Sequence, residues 1–209
     1  MAAEINTQLT KSKFGVPIDG QGQGILMPKL KYRFRVSLLG FAGAGDTDYK
    51  RSTVLTQNVQ SVTRPKITHE EVVIDSYNSR VYVQGKHSWD QITLTVRDDI
   101  GSGTAKLVGS QLQRQLNHFQ QTTPAAGADY KFDMQIEVLD GSSTGTTEVW
   151  FLEGCFLKNV DYSDQDYAAN DPVQITMQIR YDSATQYDGL SGEAFPTNDP
   201  LIAPSNSLA

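Results

Sequence analysis

Three histidines, one cysteine and a run of aspartates are the residues in this 209-residue sequence whose types suit metal binding or nucleophilic chemistry. His69, His87 and His118 show no His-x-x-x-His or Cys-His spacing, so zinc finds no local set of ligands. Cys155 is the only cysteine, cannot form an intrachain disulfide, and reads as a small buried apolar residue. The acids Asp161, Asp164, Asp166 and Asp171 hint at calcium, but a calcium loop needs Asp-x-[Asp/Asn]-x-[Asp/Asn]-Gly. Ala168 and Ala169 stand where ligand and glycine are wanted, which leaves a solvated acidic loop. Gly40-Phe41-Ala42-Gly43-Ala44-Gly45 follows a strand as a nucleotide-binding turn would, yet that strand alternates charge with hydrophobe and no apolar helix follows. It reads as a flexible loop. With no Gly-x-Ser-x-Gly or Walker sequence, no residue stands out as a nucleophile, and the expectation is no catalysis, no cofactor and no metal.

The elements that would position any site are mostly strands. Leu30, Tyr32, Phe34, Val36 and Leu38 alternate with Lys31, Arg33, Arg35 and Ser37, a period of two that turns one face inward. The alternation returns at Ile92, Leu94 and Val96, at Tyr130 to Val138, and at Val173 to Tyr181. Further β-rich stretches run over 53–62, 67–75, 79–84 and 147–157, with turn chemistry at Asn78-Ser79 and Asp140-Gly141. About eight strands are therefore predicted. Between Thr104 and Gln120, Leu107, Val108, Leu112, Leu116 and Phe119 recur at spacings of three and four, which predicts one amphipathic helix packing through Leu112 and Leu116. The fold class expected is mainly β, an antiparallel two-sheet sandwich or barrel with one flanking helix over about 104–120. Residues 1–28, punctuated by Gly20, Gly22 and Gly24, read as an extended arm, 29–182 as the β-domain, and 183–209 as a second arm or disordered tail.

Net charge is −6 and the isoelectric point near 5.0, so nucleic acid is not attracted overall. Residues 1–100 carry 13 Lys and Arg against 10 Asp and Glu, a net +3, and residues 101–209 carry −9. Such asymmetry permits head-to-tail association between copies, or mixes on one surface. No apolar run approaches the ~20 residues of a membrane-spanning helix, and the first ten residues show no secretory signal, so synthesis in the cytoplasm is expected.

Two blocks carry a resemblance. The first is Pro65-Lys66-Ile67 through Glu71-Val72-Val73-Ile74 to Gly85-Lys86-His87-Ser88-Trp89-Asp90-Gln91-Ile92-Thr93-Leu94-Thr95-Val96-Arg97-Asp98-Asp99. The second runs from Trp150-Phe151-Leu152-Glu153-Gly154-Cys155-Phe156 through Val160-Asp161-Tyr162-Ser163 to Ile175-Thr176-Met177-Gln178-Ile179-Arg180-Tyr181-Asp182. Together, over about 30–184, they resemble the tail-tube proteins of contractile-tailed bacteriophages. The resemblance implies a two-sheet β-domain with a flanking helix, six copies to a ring, and rings stacked into a tube inside a contractile sheath. It implies as partners the sheath, a tape measure protein in the lumen, baseplate and tail terminator proteins, and double-stranded DNA passing without specific binding. It further implies no membrane partner and a place in the virion tail, assembled in the host cytoplasm. The family is similar in fold to type VI secretion tubes, which keeps a secretion or injection tube as an alternative. A non-catalytic glycan-binding module using Tyr162, Tyr167 and Trp89 is another.

A DNA conduit needs a lining that does not grip phosphate. Thr93, Thr95, Asp133, Gln135 and Glu137 are the candidates, because each sits on the polar face of an alternating strand. Those faces turn either to the lumen or to outer solvent.

Overall fold

The computed structural model describes residues 29–43, 55–141, 145–168 and 170–188. The arm over 1–28 and residues 189–209 of the second arm lie outside them. Residues 29–33 make a turn in which Arg33 N–H donates to the Leu30 carbonyl and the Arg33 guanidinium lies 5.6 Å from the Tyr32 ring centre. The strand predicted from Leu30 therefore starts later. β1 (Phe34–Leu39) gains a partner only at Phe34, opposite Val138.

The other strands are β2 (Val59–Val62), β3 (Ile67–Ser76), β4 (Ser79–Trp89), β5 (Ile92–Arg97), β6 (Phe132–Leu139), β7 (Thr146–Asp161), β8 (Gln174–Arg180) and β9 (Ser183–Asp188). Seven of them form one antiparallel system in the order β1-β6-β7-β8-β5-β2, with β9 also pairing β7, and β3 and β4 form a separate hairpin. The fold is mainly β, as the alternation predicts. Residues 183–188, assigned from sequence to the second arm, are strand β9. Their polar composition hides a strand whose main chain runs alongside Glu148 to Glu153.

β7 belongs to two sheets. Its first part, through Cys155, pairs β6, and over 148–153 also β9, while residues 156–161 pair β8. At the change of sheet Gly154 adopts φ +66°, which favours glycine, and a Cβ there would displace the Asp182 carboxylate. The chain turns the same corner again between β8 and β9, where Asp182 N–H donates to the Glu153 carbonyl over 3.0 Å. Strands that switch sheets in this way make the corners of an angled sandwich. Val36, Leu38, Met134, Ile136 and Leu152 from one sheet and Ile92, Leu94, Val96, Ile175, Met177 and Ile179 from the other share one core. Each contributes about 1.5–3 kcal/mol relative to an exposed position. A one-residue slip of β6 would exchange Ile136 for Glu137, which fixes the register.

The helix α1 (Gly103–Gln115) bridges the outer strands. Asp99 starts it by accepting the Gly103 N–H at 2.7 Å, a bond that lowers the carboxyl pKa. It ends five residues short of the predicted Gln120. Leu116 is extended, and the Asn117 carboxamide accepts the amides of Phe119 and Gln120, diverting the chain into a turn that leaves Phe119 95% exposed. The buried face is Thr104, Val108 and Gln111, with Leu107 and Leu112 packed beside it; Leu116 is only half-buried. Gln111 joins the helix to both chains at one end of the β1–β6 pair: its Oε1 accepts the Ala42 N–H at 2.8 Å and its Nε2 donates to the Tyr130 carbonyl at 2.6 Å. The glycine-rich stretch after β1 is thus anchored in part, with Phe41 and Ala42 buried and the Phe41 ring edge-on to Phe132 at 4.9 Å.

Candidate functional site

Outward faces and edges are where a β-domain of this kind meets its surroundings. The five candidate lining residues divide between two of these faces. Asp133, Gln135 and Glu137 lie on β6, beside Leu39, Ser37 and Arg35 of β1. Thr93 and Thr95 lie on β5 in the other sheet, and the core separates the two sets. They do not form one surface.

The β6 acids are already engaged. Glu137 is buried, with Oε2 receiving Arg35 Nε at 2.5 Å and Oε1 receiving Gln135 Nε2 at 3.0 Å. Asp133 Oδ1 accepts the Gly154 N–H at the sheet corner. The opposite face is built from short neutral side chains. Register places Thr93 beside Gln178 and Asn159, and Ser61 and Thr95 beside Thr176, across four strands. Charge enters through Arg97, Arg180 and Asp161, and through Lys158, which precedes Asn159 and donates from Nζ to Gln91 Oε1 at 3.0 Å.

The hairpin β3–β4 is exposed on both faces over nearly its whole length. Val72 pairs Val83 and Ile74 pairs Val81, so four β-branched aliphatics, each about half exposed, share one face. The other face carries Val73 opposite Tyr82 and the Asp75–Arg80 ion pair at 2.8 Å. A two-stranded ribbon is at best marginally stable in water on its own. At its base Trp89 lies 5.7 Å from the Tyr181 ring, so the tryptophan joins the core and is not an exposed platform beside Tyr162 and Tyr167.

The same hairpin brings together two histidines that sequence spacing keeps apart. His69 and His87 are register partners with ring centres 6.0 Å apart. His118 follows the helix on a different part of the chain. Among the described residues no group of three or more His, Cys, Asp and Glu gathers as a metal site. Asp161 and Asp166 instead bond the amides of Ser163 and Ala168 within their own loop. Cys155 is buried. Desolvation first, then the nearby Asp133 charge, pushes its thiol up to about 12, so it is a poor nucleophile. No helix among the described residues is long and apolar enough to cross a membrane.

No family model matches the sequence. A curated relative, a zinc metalloproteinase of Legionella pneumophila, is 23% identical over 169 residues, 67% of this chain and 31% of that protein. The chain spans about a third of that relative's length. Its protease chemistry finds no counterpart at His69-Glu70-Glu71-Val72-Val73: Val73 stands where a His-Glu-x-x-His motif needs its second ligand, and the segment is a strand, not a helix. The structural likenesses cover much more. A chain of the anti-feeding prophage baseplate superposes with a TM-score of 0.59 at 15% identity, covering 78% of this chain and 98% of that one. A chain of the sheath–tube complex of PVC, an extracellular contractile injection system, gives 0.57 at 18% identity, covering 86% and 98%. The SPP1 tail tube gives 0.52 at 13% identity, covering 78% and 80%. The fold is thus that of components of tail tubes and contractile injection systems, in agreement with the resemblance read from the sequence.

Proposed function

We propose that the chain is a non-catalytic structural subunit that polymerises, as stacked six-membered rings, into the inner tube of a contractile phage tail. The observation that carries this reading is the β3–β4 hairpin: four aliphatic residues on one face of a bare ribbon call for a covering surface. A second copy supplies one, since among the described residues β2 ends the strand order and offers an edge for pairing. The opposite charges of the two halves favour the same head-to-tail contact. The sheath would surround this tube, baseplate and terminator proteins would close its ends, and the tape measure protein and then double-stranded DNA would occupy the lumen. The two arms would lock neighbouring subunits, after assembly in the host cytoplasm.

For the lining, the Ser61–Thr95–Thr176 and Thr93–Gln178–Asn159 rows fit better than the β6 face. Their own side chains are hydroxyls and amides that do not hold phosphate, and the neighbouring Lys158 is tied to Gln91. Likeness to components of two injection systems favours, as a second reading, the tube of such a device, with a protein cargo in place of a genome.

Negative-stain microscopy of the purified chain tests the proposal. Rings or filaments are expected, and they should disappear in the V72T/I74T/V81T/V83T variant while its cooperative melt persists. A wild type that stays monomeric at high concentration would overturn the reading.

A further inference from the structure

We propose that His69 and His87 form a bidentate, solvent-open site for a divalent transition metal of the imidazole-preferring class, such as Zn²⁺. The argument is geometric and holds whether or not the chain polymerises. The two residues face each other across the antiparallel ribbon, and both are exposed. With metal–nitrogen bonds of about 2.0–2.1 Å and about 1.1 Å from ring centre to nitrogen, two imidazoles on one ion have centres about 4.5 Å apart at a right angle and about 6.4 Å apart when collinear. The observed 6.0 Å lies in that range, and tetrahedral closure needs less than about 1 Å of approach by two exposed side chains.

Each ring also has a neighbour that holds it. The Gln84 carboxamide lies 2.8 Å from His69 Nδ1. The near atom is Gln84 Nε2, which donates to Nδ1 and leaves the ring proton on His69 Nε2, so binding of metal through His69 Nε2 requires the carboxamide to turn over and accept the Nδ1–H with Oε1, the arrangement by which a second hydrogen bond orients a ligating histidine. The His87 ring rests edge-on to Trp89 at 6.2 Å. The strands close beneath the pair through an irregularity between His69 and Glu71, where Gly85 comes so near the Glu70 carbonyl that a Cβ would sit 2.9 Å from it. With two protein ligands, water fills the remaining positions, so the site is exchangeable.

Zn²⁺ titration of the full chain by calorimetry is the test. One ion per chain is expected, with affinity reduced at least tenfold in each of H69N and H87N and unchanged in H118N. Mass spectrometry after diethylpyrocarbonate labelling gives a reading without substitution: Zn²⁺ should protect both ribbon histidines and leave His118 as it was. Absence of binding, binding that survives either ribbon variant, or protection of one ring alone would overturn the proposal.

Discussion

Gln111 shows how much a single polar residue can carry inside an apolar face. It is fully buried, and both ends of its carboxamide are spent on main-chain groups of other elements. Replacing it with leucine keeps the volume but orphans the Ala42 N–H and the Tyr130 carbonyl. Since each buried unpaired group costs about 1–3 kcal/mol, Gln111→Leu should lose about 2–6 kcal/mol in urea unfolding, well above Leu116→Ala. Similar losses for the two would mean that the amide bonds contribute little. Cys155 offers a pH-dependent counterpart. Its folded pKa lies above the ordinary thiol value of 9.0, so the folded chain keeps a proton that the unfolded chain releases. Stability is then complete below about pH 9 and declines as pH rises toward 12. Cys155→Ala should flatten that decline, and the native thiol should resist iodoacetamide at pH 8.

At the scale of elements, the corner at Gly154 joins conformation to contact. Gly154→Ala meets two obstacles, a positive φ and the Asp182 carboxylate, which is held by Lys131 Nζ at 2.5 Å. A left-handed non-glycine residue costs about 1–3 kcal/mol, so the single variant should lose at least that in denaturant midpoint analysis. Gly154→Ala/Asp182→Ala should recover only the part due to crowding; full recovery would show that the backbone angle is not strained. This corner was not legible in the sequence, which shows one unbroken β pattern over 147–157, because switching sheets depends on where β8 and β9 happen to meet β7. β5, β6 and β8 were legible, since their inward residues alternate without interruption. Gln111 was not, because a glutamine among Val108 and Leu112 counts as a lapse in an apolar stripe. Nor was the histidine pair. Its partners are separated by a whole hairpin with an irregular register, and only the pairing itself brings them opposite. Alternation kept Thr93, Thr95, Asp133, Gln135 and Glu137 off the core but did not show that they belong to different sheets, or that Glu137 is buried beside Arg35.

For the whole molecule, the two outward faces make the lining testable. Thr95→Lys/Thr176→Lys and Ser37→Lys/Gln135→Lys add the same charge to opposite sheets. If the neutral face lines a tube, the first pair should co-purify with nuclease-protected nucleic acid at low salt and release it steeply as salt rises, while the second should not. The reverse pattern would assign the lumen to β6. The shared corner has a mechanical meaning as well. Two stacked sheets joined only by side-chain packing can slide under load, but here the backbone crosses between them twice at one place, through β7 and through β8–β9. Shear applied to one sheet therefore passes along covalent bonds to the other. Pulled between its sheets in force spectroscopy, the domain should yield in a single rupture.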